Sequence, residues 1–327
     1  MPIEADKIKR IVRVGSRASR LAVAQAEIVM RQIESVYPGV QTELVTMKTT
    51  GDKILDKTLD QIGGKGLFVK ELDEALRSGD VDITVHSLKD LPKDVPDDIP
   101  VIAYSKREDP RDVLILPEGT EEIDMDLPAG TSSLRRSLQI KELIPGIETA
   151  PVRGNVETRL RKLDEGQCSC LIMASAGLIR LGLENRISRY FETAEMIPAP
   201  CQGILAIQAR AADDFIANRI IPKINDKDAE ICATAEREFV RVIGADCGSP
   251  DTAHAWLENR KLHMLGLVYC TADGTAHREA IEGSPSQPEL LGRRLAEELM
   301  RSANANKCKG LFEKLLLETE KTVYLYS

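Results

Sequence analysis

Lys89 and Asp90, a cation beside an acid, close a stretch whose pattern places them where a sheet meets solvent. The stretch is Val81-Asp82-Ile83-Thr84-Val85-His86-Ser87-Leu88-Lys89-Asp90-Leu91-Pro92. Asp82 to His86 alternates polar and apolar residues, which predicts a strand, and Pro92 stops regular continuation. Open α/β sheets bind ligands outside the carboxyl ends of their strands, so this pair is expected at a crevice mouth. An acid and a cation side by side at such a mouth can meet a ligand. The plain alternative is a solvated loop pair of little energetic consequence.

Two further stretches share one design. Gly15-Ser16-Arg17-Ala18-Ser19 and Gly130-Thr131-Ser132-Ser133-Leu134-Arg135-Arg136 each follow an expected strand and open an expected helix. Hydroxyls, arginines and unpaired backbone N–H groups then gather at the positive end of a helix dipole, which is an anion site. Ordinary serine N-caps with solvated arginines are the alternative. More arginines stand at strand ends and helix starts: Arg153, Arg159 and Arg180. Arginine binds carboxylates bidentately, so several together imply a ligand with many negative groups. The glycine spacings match neither a P-loop nor a dinucleotide fingerprint, which favours a polycarboxylate over a nucleotide triphosphate.

The elements that must position these groups can be read in order. A strand at Ile11–Val14, a helix from Leu21 to Tyr37, a strand from Val40 to Met47, a glycine loop at Gly63–Gly66, a helix with Phe68, Leu72, Ala75 and Leu76 on one stripe, and the strand ending near Asp90 make a first unit. Arg107-Glu108-Asp109-Pro110-Arg111-Asp112 reads as a charged crossing into a second unit of the same plan, in which Asn155 caps a helix and Cys170–Met173 is a strand. Ile197-Pro198-Ala199-Pro200-Cys201-Gln202-Gly203 is a second crossing, after which Leu205–Arg210 returns to the first unit. A helix from Ala229 to Val242 leads to a tail with strands near Ala253–Leu257, Leu262–Cys270 and up to Ile281, a turn at Asp273-Gly274, and a helix bearing Leu290, Leu291, Leu295 and Leu299. Leu311–Leu317 is expected to be helical. Strands alternating with helices predict a mostly parallel, doubly wound sheet.

The 327 residues suffice for two or three domains, and 43% hydrophobic with 29% charged residues is ordinary for a globular protein. A net charge of −8 argues against bulk nucleic-acid binding. The start of the chain lacks an apolar signal region, and no apolar run approaches the roughly 18 residues of a membrane span. Seven cysteines without CxxC spacing suit a reducing cytoplasm and give a poor zinc signal, so no metal is expected. Cys247, in the turn-rich loop Gly244-Ala245-Asp246-Cys247-Gly248-Ser249-Pro250, can bring a thiol into a cleft. Cys201 competes for that role, while Cys168, Cys170, Cys232 and Cys270 lie in apolar segments as core residues.

Taken together, these stretches resemble the porphobilinogen deaminase (hydroxymethylbilane synthase) family along essentially the whole chain. The resemblance is carried by Val14–Ser19, by Gly63-Gly64-Lys65-Gly66-Leu67-Phe68-Val69-Lys70-Glu71, by His86–Pro92, by Arg107–Asp112, by Gly130–Arg136, by Arg153-Gly154-Asn155-Val156 and by Ala176-Gly177-Leu178. It implies an α/β protein of three domains: two doubly wound lobes like those of bacterial periplasmic binding proteins, and a small α+β C-terminal domain with a three-stranded antiparallel sheet. Residues 1–106 with 201–225 are the expected first lobe, 107–200 the second, and 226–327 the domain carrying the cofactor cysteine.

The implied chemistry is a transferase reaction of tetrapyrrole and haem biosynthesis. A dipyrromethane cofactor hangs from Cys247 by a thioether; porphobilinogen loses ammonia, and four additions followed by hydrolysis release hydroxymethylbilane. Asp90 matches the catalytic aspartate, a buried negative charge steadying each cation. Cofactor contacts fall to Cys247, Lys89, Asp90, Thr131, Ser133, Arg135, Arg136, Arg153 and Gly154, and substrate contacts to Arg17, Ser19, Phe68, Arg153, Arg159, Arg180 and Gln202. Phe68 serves equally as core packing; Asp52, Lys65 and Lys70 are lesser candidates, and His86 is a structural side chain rather than a base. The implied partner is the substrate alone, with no nucleic acid or membrane, acting on a cytoplasmic monomer. Two departures stand out. Ala245-Asp246-Cys247-Gly248-Ser249-Pro250 replaces the usual Gly-Gly-Cys-Gln-x-Pro, with Asp246 disfavouring a thiolate, and Cys201 stands where a glycine is usual. An inactive member or a non-catalytic two-lobed polycarboxylate receptor is the alternative.

Overall fold

Val12 and Val14 are fully buried while Ile11 faces solvent, a period of two that makes Arg10–Arg17 a strand, β1. The computed structural model describes residues 10–49, 69–213, 215–245, 248–270 and 274–303, organised on three sheets. In the first, β1 lies parallel to both β2 (Val40–Met47) and β3 (Ile83–Ser87). β10 (Leu205–Ala209) runs antiparallel between β3 and β4 (Val101–Tyr104).

The second sheet repeats this plan. β6 (Ala129–Gly130) is parallel to β7 (Thr149–Ala150) and β8 (Cys170–Ala174), and β5 (Asp112–Ile115) runs antiparallel between β8 and β9 (Arg189–Tyr190). The orders β2-β1-β3-β10-β4 and β7-β6-β8-β5-β9 correspond strand for strand. Each sheet is therefore mixed, where alternation of strands and helices alone suggested a mostly parallel one. The reversed strand in each, β10 or β5, is fed by a crossing from the other lobe. The helical crossover that makes neighbours parallel is absent there.

Layers of apolar residues cover the sheets. In the helix Arg20–Val36, Ala26, Val29 and Ile33 pack on Val12, Val14, Ile83 and Ile207. In the second lobe, Leu160, Leu163 and Leu178 lie among one cluster and Ile140, Phe191 and Met196 among another, as a doubly wound sheet requires. The glycines opening the two serine-arginine stretches serve this packing. A Cβ on Gly130 would meet Leu171 and Val152 at 2.7 Å, and one on Gly15 would meet Thr84 at 3.0 Å.

The third sheet, β11 (Thr252–Glu258), β12 (Lys261–Tyr269) and β13 (Ala276–Gly283), is antiparallel throughout. The helix Lys227–Ile243 and a helix over residues 288–303 cover it, with Phe239, Leu291, Leu295 and Leu299 fully or nearly buried against Ala253, Ala255 and Met264. The first of these helices has a second apolar edge: Ala229 and Ala233 pack on Leu88, Leu91 and Ile204 of the first lobe. Leu311–Leu317 and Asp273 lie outside the described residues. Among the described residues no helix is long and apolar enough to cross a membrane.

Candidate active site

β3 ends at Ser87 and the chain makes one tight helical turn, Leu88–Asp90. Leu88 pins that turn: its side chain is buried and its N–H donates to the Ile204 carbonyl at 3.0 Å. Asp90, which follows at the strand's carboxyl end, is exposed. The expected buried carboxylate is thus corrected: Leu88 and Leu91 on either side of it take the buried apolar positions, and Asp90 projects outward. Arg17, Gln25, His86, Ser87 and Asp90 surround a cavity of about 30 Å³, the size of a water molecule or two. His86 bonds to the Thr84 hydroxyl at 3.0 Å. Burial, aided by the Arg17 charge, pulls it down to about 4, so it is a neutral structural side chain near pH 7.

Lys89 reaches the other way. Its Nζ donates to Gln202 Oε1 at 3.2 Å, and Arg136 Nη2 donates to the same oxygen at 3.3 Å. Gln202 Nε2 donates to the Pro110 carbonyl at 2.7 Å and to Asp112 Oδ1 at 2.9 Å. Asp112 is completely buried, with Arg136 Nη2 at 2.8 Å and Arg135 Nη1 at 2.6 Å. Burial alone would raise the Asp112 carboxyl, but the Arg135 and Arg136 guanidiniums outweigh it and hold it well below the usual range. Burial and the neighbouring guanidiniums bring the Lys89 ammonium down to about 8, with Asp90 opposing.

Both serine-arginine stretches do cap helices. Ser19 Oγ accepts from the Ala22 N–H at 3.4 Å, and Ser133 Oγ from the Arg136 N–H at 3.5 Å. An oxygen that accepts from the backbone keeps its own proton to donate, so capping and anion binding are compatible. Thr131 Oγ1 accepts from the Ser133 N–H at 3.2 Å. Arg135 points inward, to the Ile197 carbonyl at 2.6 Å and to Asp112.

Asn155 caps the helix Val156–Asp164, accepting from the Thr158 N–H at 2.8 Å. Gly154 has φ +121 and its carbonyl accepts from Arg159 Nε at 2.9 Å, while Arg153 offers its carbonyl to Lys162. Burial lowers Arg159 to about 10; Arg136 and Arg153 add to that, and Asp90 opposes it. Arg159 thus lies within electrostatic reach of Arg136, Arg153 and, from the first lobe, Asp90. Arg180 is engaged elsewhere: Nη2 donates to the Gly203 carbonyl at 2.5 Å, within the second crossing. Lys70 is exposed at the start of the helix Lys70–Ser78. Cys247, Asp246, Phe68, Lys65 and Asp52 lie outside the described residues.

The crossings meet at a buried acid. Glu236, on the helix Lys227–Ile243, accepts from Arg107 Nη2 at 2.9 Å to each oxygen, from the Ala255 N–H at 2.6 Å and from the Cys201 N–H. Cys201 itself has φ +63 and is buried; burial and Glu236 push its thiol far up, which suits packing rather than reaction. Two residues on, Gly203 has φ +89, and a Cβ there would strike the Glu108 carbonyl at 2.3 Å. Cys168, Cys170, Cys232 and Cys270 are buried free thiols, as their apolar segments predicted.

Sequence reasoning missed Asp112 and Glu236. Each carried a signal: Asp112 heads the all-apolar run Val113-Leu114-Ile115-Leu116, and Glu236 interrupts the buried stripe of its helix between Ala233 and Phe239.

Two matching mixed sheets joined by two crossings define a two-lobed α/β protein with a third, antiparallel unit attached. The family model described as the porphobilinogen deaminase dipyrromethane cofactor binding domain matches residues 12–218, and that of the porphobilinogen deaminase C-terminal domain matches residues 230–301. The chain belongs to the porphobilinogen deaminase family. It is 52% identical over 294 residues to a porphobilinogen deaminase of Acetivibrio thermocellus, covering 90% of this chain and 99% of that one. It is 48% identical over 291 residues to that of Ruminiclostridium josui, covering 89% and 98%. Relatives bearing an enzyme's name do not favour the non-catalytic alternative. Among solved structures, the periplasmic aliphatic sulphonate binding protein SsuA of Escherichia coli aligns with a TM-score of 0.39 and 13% identity over 71% of this chain and 70% of that one. A likeness that weak adds nothing to the strand order described above.

Proposed function

We propose that this chain deaminates porphobilinogen and joins four molecules head to tail into hydroxymethylbilane, on a dipyrromethane held through Cys247. The observation that carries this reading is the cluster of cations beside the Asp90 turn: Lys89 and Arg136, one from each lobe, donate to the same oxygen of Gln202. The residues fit the cofactor chemically. Its rings bear acetate and propionate groups, and guanidinium, ammonium and hydroxyl groups are the partners that bind them. Lys89, Thr131, Ser133, Arg135, Arg136, Arg153 and Gly154 would hold it, and when bound it supplies the pyrrole carbon from which the product grows.

In this reading Asp90 accepts the pyrrole N–H of the incoming substrate. It stabilises the positive charge that develops as the C–N bond breaks and ammonia departs with the electron pair. Its exposure at a strand end gives substrate direct access. Arg17 and Ser19 on the first lobe, with Arg159 on the second, bind substrate carboxylates, Arg180 braces the second crossing through the Gly203 carbonyl, and Gln202 orients Lys89. The reading divides the chain as expected from sequence, with residues 1–106 and 201–225, 107–200 and 226–327 as its three domains, and takes it as a cytoplasmic monomer, in keeping with five unpaired buried thiols.

Intact mass and turnover test this together. The purified protein should be heavier than its sequence by one dipyrromethane, and Cys247→Ser should lose that increment. Asp90→Ala should retain the increment yet lose turnover of porphobilinogen by at least about a hundredfold. Wild-type rates in that variant, or a wild-type chain with neither added mass nor turnover, would sink the reading.

A further inference from the structure

We infer that Asp112 is the positioning residue of the cationic wall: from inside the hinge it orients Arg136 directly and Lys89 through Gln202. This rests on the reading of those cations as carboxylate partners. Asp112 is the last residue of the first crossing and the first of β5, and Gln202 lies in the second crossing. The hinge and the charged wall are thus built from the same residues.

The geometry is directional. Asp112 Oδ1 accepts from Arg136 Nε at 3.0 Å and Nη2 at 2.8 Å and from Gln202 Nε2 at 2.9 Å, while Oδ2 faces Arg135 Nη1 at 2.6 Å. Arg136 Nη1 is directed at the Ile172 carbonyl at 3.4 Å, so each edge of that guanidinium has a partner that sets its plane. Gln202, gripped through its amide nitrogen by Asp112 and Pro110, has its carbonyl turned toward Lys89 and Arg136. Lys89 is the neighbour of Asp90. Two buried guanidiniums side by side repel, and one buried carboxylate between them lets both stay while leaving the wall net positive. A guanidinium's remaining N–H donor points within its plane, so a residue that fixes that plane acts on ligand affinity without touching the ligand.

Three roles for Asp112 give different outcomes. A positioning residue raises KM when its geometry is disturbed, even with its charge retained. A competitor for the cations lowers KM when removed, and a residue that only glues the hinge changes the melting temperature alone. Full-length wild type, Asp112→Asn and Asp112→Glu are purified and compared by intact mass for the fraction carrying cofactor, by steady-state kinetics with porphobilinogen, and by melting temperature. We expect Asp112→Asn to carry cofactor in at least threefold fewer molecules. Its loaded fraction should show KM raised at least tenfold with a smaller change in kcat, and Asp112→Glu should fall between it and wild type. Unchanged loading and KM, a lowered KM, or an Asp112→Glu equal to wild type overturns the inference. Asp112→Glu keeps the buried charge paired and decides the matter should Asp112→Asn not fold. A wild-type chain without cofactor mass or turnover defeats the functional reading itself; active wild type with unaffected Asp112 variants defeats only this inference.

Discussion

Lys89 and His86 stand three residues apart, and burial acts on both, with opposite consequences for function. Lys89, brought down to about 8, loses its proton as the pH rises through that value. If its ammonium binds substrate or cofactor carboxylates, kcat/KM for porphobilinogen should fall on the alkaline side with a midpoint near there. Lys89→Arg, which keeps its charge, should move that limb upward by at least about one pH unit; a pH profile of both enzymes checks this, and an unmoved limb would remove Lys89 from the site. His86 is held near 4 against an ordinary 6.5. The neutral form is the one the fold accommodates. Its contribution is therefore complete above pH 6.5 and is lost as pH falls toward 4, by up to about 3 kcal/mol. His86→Gln should flatten that dependence, seen as a smaller difference in urea midpoint between pH 7 and pH 4.5. Both positions were legible from the Asp82–His86 alternation and the stop at Pro92. The exposure of Asp90 was not, because periodicity tells which face a residue takes and not how far a turn projects.

At the level of elements, the first helix and the second lobe meet at the rim of the cleft. Arg20 Nη1 pairs with Glu157 Oε1 at 2.5 Å, joining the starts of the helices Arg20–Val36 and Val156–Asp164. Beside it Leu21 packs on the second lobe's cluster and would touch a Cβ placed on Gly177. Both members of the pair are substantially exposed, so it is worth no more than about 1 kcal/mol and weakens with salt. Such a pair holds the two helix tips together only weakly. Arg20→Glu should set two carboxylates against each other and speed hydrogen exchange at the backbone amides of the first turn after Ala22. The reversed pair Arg20→Glu with Glu157→Arg should restore wild-type exchange; failure of the swap to restore it would rule out an ion pair across the rim. The helices themselves were readable from Ser19, Asn155 and the glycines after their ends. The pairing of their tips was not, since it joins residues 137 apart.

For the molecule as a whole, Glu236 is where the two crossings and the third sheet are tied together. It takes bonds from Arg107 on the first crossing, Cys201 on the second and Ala255 on β11. Burial alone would raise its carboxyl, but Arg107 and His254 outweigh that and hold it below its ordinary value. Its contribution is present above the unfolded carboxylate range and lost as acid approaches the lowered folded value. Glu236→Gln leaves Arg107 buried without its counter-charge and should cost about 3–5 kcal/mol at neutral pH, measured by denaturant unfolding. A loss below about 1 kcal/mol would show that the three units are held together elsewhere, by the apolar contacts of Ala229 and Ala233 or by the bonds from Tyr269 and Arg278 to Glu142.

Local patterns determined a good deal of this protein before any fold was known. Alternation, caps and turn residues located the strand before Asp90, the two serine-arginine helix starts, both crossings and the small antiparallel tail, because each depends on neighbours within a few residues. Tertiary structure alone decided that β5 and β10 enter their sheets reversed, and that Arg135 and Arg136 turn to an acid instead of to solvent. It also decided that Gln202 and Asp112, 90 residues apart, share a hydrogen bond. A buried charge chooses its partner by what the crossing chain brings alongside it, and that proximity is written in no single segment.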